Sequence, residues 1–117
     1  MVRGVRGATR VENDTSEEIL QATEELLSFM VEQNGISPDD IAGAFFTVTP
    51  DLNSQFPARA ARTMGWNQVP LMCFQEINVA GALPKCIRIL ILYNTSVKQE
   101  QVQHVYLRGT SVLRDPI

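Results

Sequence analysis

The segment Cys86–Tyr93, with the sequence CIRILILY, is the most apolar stretch of the chain and is interrupted by one charged residue, Arg88. Its aliphatic and β-branched side chains predict a strand, and its near-continuous apolar character predicts burial on both faces. A guanidinium without a partner is costly in such a strand, so Arg88 is expected to meet an anion. We therefore expect the fold to be built around this strand, with Arg88 at a site where an anion binds or an ion pair forms.

The elements around this strand are predicted from periodicity and from end signals. Thr15-Ser16-Glu17-Glu18 is typical of a capping box, apolar residues then recur at helical spacing, and Asn34-Gly35 ends the helix. A shorter helix is predicted over Pro57–Met64. Further strands are predicted at Gly4–Val11, Ala44–Thr49 and Val102–Leu107, and Leu71–Val79 is predicted to be a strand or an extended segment. The sequence thus predicts an α/β or α+β fold in which one long and one short helix cover a sheet of about five strands.

Length and composition limit the class of protein. The 117 residues suit one domain spanning 1–117, and the 44% hydrophobic and 20% charged content is globular. The longest apolar run, Ile89–Tyr93, is far shorter than the ~20 residues of a membrane span. The N-terminus lacks the apolar region of a secretory signal, and two cysteines are too few for a disulfide scaffold. We expect a cytoplasmic protein with reduced cysteines and no membrane partner.

The charges are distributed unevenly. Residues 1–51 hold three arginines and ten acids, whereas residues 52–117 hold seven bases and three acids. The bases of the second half are spaced singly, which argues against a nucleic-acid partner. Eight of the ten bases are arginine, the side chain that grips planar carboxylates with two parallel hydrogen bonds. Composition alone does not separate carboxylate binding from compositional bias.

Two further charged residues break apolar patterns. Glu76 lies in the apolar segment Leu71–Ile77, and it is a candidate catalytic carboxylate, an acceptor for a ligand hydroxyl or the partner of Arg88. A solvent-facing residue of an edge strand fits about equally. From the residues alone, an internal Arg88–Glu76 ion pair with a purely structural role is favoured. Arg6 lies between Gly4 and Gly7, which allow a backbone to approach a ligand closely, although the sequence alone favours a surface arginine on a terminal strand.

The remaining reactive side chains predict no nucleophile, metal or nucleotide site. His104 is the only histidine, no ligand-type residues stand near it at metal spacing, and a half-buried structural role is predicted. Tyr106 offers a phenol to an anion or simply packs, and Cys73 and Cys86 are typical of small buried residues. Neither a G-x-S-x-G elbow nor a phosphate-binding glycine loop is present. This combination indicates a carboxylate-bearing small molecule that is bound by electrostatics and shape.

The order of these residues resembles one known family. The matching stretches run through nearly the whole chain: Val2–Thr9, Thr47–Leu52, Phe56–Arg62, Gly65-Trp66, Val69–Glu76, Cys86–Arg88 and His104–Leu107. They are similar to the small monofunctional chorismate mutases of the Bacillus type. That resemblance implies a single-domain mixed sheet that assembles into a pseudo-α/β-barrel homotrimer, with active sites at the subunit interfaces.

The same resemblance implies a function and a set of site residues. Chorismate would rearrange to prephenate on the way to phenylalanine and tyrosine, without cofactor or metal. Arg6, Arg88 and Tyr106 would bind the carboxylates and the ether oxygen, while Glu76 and the Cys73 backbone would meet the ring hydroxyl. Further substrate-binding candidates around the mouth are Phe56, Arg59, Arg62, Met72, Leu113 and, on a mobile tail spanning residues 108–117, Arg114.

Two other classes of protein remain open at this point. One is a trimeric enamine/imine deaminase, which has a similar size and also presents an arginine to a carboxylate at a subunit interface. The other is a non-catalytic module that binds metabolites of the aromatic pathway. The sequence around Arg6 and Glu76 favours the mutase, and turnover of chorismate would distinguish all three.

Overall fold

A computed structural model describes residues 1–114, which form a five-stranded mixed sheet with two helices. The strands are β1 (Val2–Arg10), β2 (Ile41–Val48), β3 (Leu71–Gln75), β4 (Cys86–Asn94) and β5 (Val105–Tyr106). The helices are α1 (Ser16–Asn34) and α2 (Ala58–Thr63), and short 3-10 helices span Pro38–Asp40, Gln99–Gln101 and Ser111–Arg114. The predicted fold class, with one long and one short helix and about five strands, is confirmed.

Strand β4, which contains Arg88, is the central strand of the sheet. The strand order is β3-β2-β4-β1-β5. Strand β4 runs antiparallel to both of its neighbours, β1 and β2, whereas β3 and β5 lie parallel to β2 and β1. The most apolar segment of the sequence therefore organises the sheet, as predicted.

One face of the sheet is covered by the helices. On this face the side chains of Ile87, Ile89 and Ile91 are buried, together with those of Val5 and Phe46 on the neighbouring strands. Helix α1 packs onto them through buried side chains, which include Leu26, Leu27 and Met30. No helix among residues 1–114 is long and apolar enough to cross a membrane.

The other face of the sheet is open in the single chain. Arg88, Leu90 and Leu92 alternate with the buried isoleucines of β4 and are only half-buried. On the adjoining strands the rings of Phe45 and Phe74 lie 6.1 Å apart, and Phe74 is 43% exposed. The prediction that β4 is buried on both faces is wrong for a single chain, because both helices pack on the same face. The open face combines apolar surface with one guanidinium.

The start of α1 differs from a reciprocal capping box. Thr15 Oγ1 accepts a hydrogen bond from the Glu18 amide at 3.1 Å, as predicted. The Glu18 carboxylate instead accepts from the amides of Asn13 and Glu12, at 3.1 and 3.2 Å. These bonds, that from Asn13 above all, lower the pKa of Glu18. The carboxylate thereby fixes the short connection between β1 and α1.

Two predicted strands are shorter than expected. Strand β3 ends at Gln75, and the residues beyond it are mostly exposed, with Ile77 at 84%. Strand β5 contains only Val105 and Tyr106, because the chain before it turns through the 3-10 helix Gln99–Gln101. Apolar residues suggested strands at both places, but the apolar side chains of residues 77–79 have no covering element in the single chain.

The segment after β5 is held at Arg108 and Thr110 in its described part. The Arg108 guanidinium donates to the Arg10 carbonyl oxygen at 3.2 Å and lies 3.3 Å from the Glu25 carboxylate. The Thr110 side chain is fully buried, and its hydroxyl lies 2.8 Å from the Leu107 carbonyl oxygen and 3.2 Å from that of Ala8. The chain then forms the 3-10 helix Ser111–Arg114. A mobile tail over residues 108–117 stays a prediction, and its last part, Asp115–Ile117, lies outside the described residues.

Packing of α1 on β1 predicts the effect of a side chain at Gly7. A Cβ atom there would lie 2.5 Å from Met30 Sδ and 3.0 Å from Leu26 Cδ1, both in buried residues. We expect Gly7→Ala to lower the free energy of unfolding by about 1–3 kcal/mol, measured by urea denaturation. Gly43→Ala is the matched control, since its Cβ would meet nothing closer than 3.8 Å. Equal stability of the two variants would contradict this packing.

Candidate active site

A cavity of ≈ 260 Å³ opens among the strands of the sheet and is lined by the side chains that the sequence singled out. Arg6 comes from β1, Arg88 from β4 and Tyr106 from β5, while Glu76 directly follows β3. All four are distant in sequence. Their convergence in one cavity shows that the topology collects the predicted charged and phenolic groups.

The strand register explains this convergence. Ala8 of β1 is paired with Arg88 on one side and with Tyr106 on the other. Because paired residues on neighbouring strands point to the same face, the guanidinium and the phenol flank a small residue. Ala8 is fully buried and leaves the space above it to the two longer side chains. Backbone pairing of β4 and β5 with β1 therefore places Arg88 and Tyr106 on either side of Ala8.

Arg88 and Glu76 form the predicted ion pair. Arg88 Nη1 donates to Glu76 Oε2 at 3.2 Å, and the two side chains are 39% and 25% exposed. The Glu76 amide donates to the Val48 carbonyl oxygen at 2.9 Å, which holds its backbone beside the end of β2. The pair is therefore positioned by the sheet but remains in contact with the cavity, where a ligand can reach both groups.

Two further guanidinium groups lie near this pair. Arg6 lines the cavity and is exposed, and the Arg114 guanidinium carbon lies 5.9 Å from the centre of the Tyr106 ring. His104 is half-buried next to them, and its Nδ1 accepts a hydrogen bond from the Arg6 amide at 3.0 Å. Burial, and then the charges of Arg6 and Arg114, lower the pKa of His104. The region is thus cationic, with Glu76 as the carboxylate that lines the cavity.

The other predicted site residues lie outside this cavity. Cys73 and the 70% exposed Phe56 line a second cavity of ≈ 320 Å³. The two cavities share no lining residue, but the second one includes Phe74, whose ring lies 6.1 Å from that of Phe45 in the first. A single chain therefore does not bring Phe56 and Arg88 into one site.

The remaining candidates lie on α2, on β3 and in the last 3-10 helix. Arg59 is exposed on α2, and the Arg62 guanidinium donates to the Trp66 carbonyl oxygen. Met72 is 55% exposed and is paired with Phe45 on the open face of the sheet. Leu113 is half-buried, and its amide donates to the Thr110 carbonyl oxygen. Neither cavity is lined by these four residues.

The two cysteines are free thiols, and burial is the first cause that raises the pKa of each. Both thiols are therefore protonated at neutral pH, a state that disfavours nucleophilic attack. The Cys86 thiol donates to the Pro84 carbonyl oxygen at 3.4 Å, while His104 is bonded to the Arg6 amide. Within residues 1–114, no three His, Cys, Asp or Glu side chains come together as a metal site.

Sequence reasoning did not assign five residues of the cavity wall to the site: Gly7, Phe45, Thr47, Ile89 and Leu90. Thr47 is paired with Arg88 across β2 and β4, and its buried hydroxyl has no hydrogen-bond partner in the described part of the chain. The period-two alternation of β2 around the buried Phe46 is the signal that would have placed Phe45 and Thr47 on the face of Arg88.

Comparisons with known proteins identify the family of the chain. The family model for chorismate mutase type I matches residues 2–117. The chain is 50% identical over 115 residues to the chorismate mutase AroH of Bacillus subtilis, covering 97% of this chain and 91% of that protein. It is 55% identical over 115 residues to the chorismate mutase AroH of Thermus thermophilus, covering 97% and 94%.

A solved structure shows the same fold. A chorismate mutase from Clostridium thermocellum superposes with a TM-score of 0.92 at 49% identity, covering 93% of this chain and 97% of that one. The match therefore includes the strands that carry the site as well as the order of the residues along the chain. The chain belongs to the type I chorismate mutase family.

Proposed function

We propose that the cavity lined by Arg6, Glu76, Arg88 and Tyr106 is the catalytic part of the active site of this chorismate mutase. The enzyme converts chorismate into prephenate, a step in the biosynthesis of phenylalanine and tyrosine. The observation that carries the assignment is the Arg88–Glu76 pair, which lies in an accessible cavity with Arg6 beside it. A cationic cavity with a single carboxylate fits a substrate that carries two carboxylates and a hydroxyl group.

The reaction explains why the site contains no activated nucleophile. In a [3,3] rearrangement one C–O bond breaks while one C–C bond forms, and no proton is transferred. Negative charge gathers on the ether oxygen in the transition state. A fixed guanidinium at that oxygen stabilises the transition state more than the substrate, and this difference lowers the barrier. We assign this role to Arg88, because the central strand holds it in place.

Arg6 and Tyr106 are proposed to hold the substrate carboxylates. The enolpyruvyl arm of chorismate rotates freely in water, and the reaction needs it folded over the ring. Holding the arm in that geometry selects a conformer that is rare in water. Such positioning lowers the barrier of oriented reactions by several kcal/mol. Arg6 is exposed at the cavity and Tyr106 is half-buried, so both can reach a ligand.

Glu76 is proposed to accept a hydrogen bond from the ring hydroxyl, together with a contact from the Cys73 backbone. Glu76 Oε2 accepts a hydrogen bond from Arg88 Nη1. The ring hydroxyl of chorismate then binds the partly exposed Glu76 carboxylate, while the ether oxygen and a carboxylate of the substrate bind the Arg88 guanidinium. The ion pair thus holds both side chains near their working positions before the substrate arrives.

The alternatives considered from the sequence have less support. A match of the family model over residues 2–117 favours the mutase over an enamine/imine deaminase. A non-catalytic binding module would use the same cavity, and only turnover distinguishes it. The free thiols of Cys73 and Cys86 support a cytoplasmic location for the enzyme.

We further propose that the enzyme works as a homotrimer whose subunits join across the open face of the sheet. That face exposes Met72 and Phe74 and leaves Leu90 and Leu92 half-buried, which is a large apolar surface for a monomer. The cavity of ≈ 260 Å³ is also just below the ~300–1,000 Å³ of typical small-molecule sites. Both features support completion of the site by a second subunit.

Such an assembly gives a role to the remaining predicted residues. The second cavity is separate from that of Arg88 within one chain, but it contains Phe74 of the open face beside Phe56, so it is proposed to meet the cavity of a neighbouring subunit. Arg59, Arg62 and Met72 would then approach the mouth from the same subunit as Phe56. Leu113 and Arg114, on the 3-10 helix beside Tyr106, would line the mouth from the other.

The Glu76→Gln variant tests the site assignment. Glutamine keeps the size of the side chain but loses the charge, so the hydroxyl contact and the pairing with Arg88 both weaken. We expect a folded enzyme whose kcat/KM for disappearance of chorismate is at least about tenfold lower, since hydrogen bonds to charged groups contribute ~1.5–3 kcal/mol. Glu24→Gln, an exposed acid on α1, is the matched control. A large drop in melting temperature with normal specific activity of the folded fraction would contradict the proposed role.

The assembly proposal predicts the mass of the enzyme in solution. Sedimentation equilibrium at micromolar concentration should give three times the chain mass of 13.0 kDa. A charge at Leu92 on the open face should dissociate the assembly, so Leu92→Lys is expected to sediment as a smaller species and to lose activity. Phe29→Lys is the control, because Phe29 is 41% exposed on α1 and away from that face. A stable wild-type monomer with full activity would refute the proposal.

A further inference from the structure

The single histidine of the chain lies beside the active-site cavity without lining it. His104 Nδ1 accepts a hydrogen bond from the backbone amide of Arg6 at 3.0 Å, and the imidazole is half-buried. Arg6 lines the cavity and Tyr106, two residues beyond His104, lines it as well. The histidine therefore connects the two strands that carry these groups.

This contact extends the pairing of β1 with β5, which is very short. Strand β5 pairs with β1 only at Gly7–Val105 and Ala8–Tyr106. The Arg6 amide lies just before the first of these pairs, and the His104 side chain takes the place of a backbone acceptor there. On the same edge of β1, the Gly4 amide donates to Gln99 Oε1 at 2.9 Å. Side chains thus hold the β1 edge wherever β5 is absent.

The contact requires one protonation state of the imidazole. A ring nitrogen accepts a hydrogen bond only when it carries a lone pair, so Nδ1 must be unprotonated and the proton must be on Nε2. The charged groups that act on the ring are Arg6 from β1 and Arg114 from the last 3-10 helix, and Tyr106 adds a phenol on its own strand. Both cations disfavour a further positive charge on the His104 ring.

We propose that neutral His104 is a positioning residue, which holds the Arg6 backbone in register with Tyr106, and that protonation of its ring releases this contact and weakens substrate binding. The inference rests on the proposed function of the cavity. It adds a group that touches neither the substrate nor the reacting bonds. It also adds a sensitivity to pH in a reaction that transfers no proton.

The direction of the pH effect follows from the environment of the ring. Burial, followed by the charges of Arg6 and Arg114, lowers the pKa of His104 from its model-compound value of 6.5. The unfolded chain therefore takes up the proton more readily than the folded one. The hydrogen bond is fully formed at neutral pH. The stability that it contributes decreases as the pH falls below 6.5, and the bond itself is lost as the pH passes the lower midpoint of the folded state. We expect kcat/KM to fall about five- to tenfold over that range, mainly through KM, as for the loss of one hydrogen bond.

Two variants at this position separate positioning from simple packing. The Oδ1 atom of asparagine stands at the same distance along the side chain as Nδ1 and accepts a hydrogen bond at every pH. His104→Asn should therefore keep a KM near the wild-type value at neutral pH and should lose the acid-dependent rise. His104→Leu removes the acceptor, and its KM should be raised about five- to tenfold at all pH values. Gln99→Met is the control, because it removes the two side-chain hydrogen bonds to Gly4 on the same edge of β1.

The experiment has two parts. Steady-state kinetics with chorismate are measured between pH 5 and 8, and the His104 ring protons of the full-length enzyme are titrated by NMR. Since the chain has one histidine, its ring signals need no separation from others. The expected result is a ring midpoint below 6.5 that coincides with the rise in KM, together with a shift of the Arg6 amide signal. Circular dichroism confirms that each variant is folded.

Several outcomes would overturn the inference. A ring midpoint at or above 6.5, an acid-dependent rise in KM that persists in His104→Asn, or an equal rise in KM in Gln99→Met would each refute the positioning role. If His104→Leu does not fold, the pH profile of His104→Asn still decides the matter. A wild-type enzyme that turns over no chorismate at any pH would instead contradict the proposed function, which keeps the two failures distinct.

Discussion

The constraint on which this structure depends is the placement of one guanidinium in the most apolar strand of the chain. Arg88 belongs to β4, the central strand, whose alternate residues Ile87, Ile89 and Ile91 form the core under the helices. Because the side chains of a strand alternate, packing these three residues against α1 forces Arg88 onto the open face. Glu76 is the anionic partner that offsets the cost of the guanidinium at this position. The packing that forms the core therefore also places the Arg88 guanidinium on the open face.

The open face links the active site to assembly. A sheet with helices on one side only leaves Leu90, Leu92 and Phe74 in contact with water in the single chain, and the catalytic groups lie among them. Burying this face between subunits would remove water from the surroundings of Arg88, and the interaction of a guanidinium with developing charge strengthens in such an environment. Burial of this face between subunits would therefore explain three features together: an uncovered apolar face, a small cavity and a half-exposed ion pair.

Much of this architecture could be predicted from the sequence, and the exceptions have physical causes. The apolar run around Arg88 and the periodicity of α1 are strong local signals, and the Arg88–Glu76 pair follows from the cost of an unpartnered charge. The length of β5 was not predictable, since a short edge strand depends on side-chain acceptors such as His104 rather than on its own pattern. Thr47 was missed because only the register of β2 against β4 places it beside Arg88.

The central claim is that the positive charge of Arg88, and not only its shape, lowers the barrier, and replacement of Arg88 by citrulline tests it most directly. Citrulline keeps the planar geometry and removes the charge. The account predicts that kcat falls by about two to four orders of magnitude, corresponding to ~3–5 kcal/mol, while the affinity for prephenate falls much less. Equal losses in kcat and in prephenate affinity would show that Arg88 binds substrate and transition state alike, which would contradict the account.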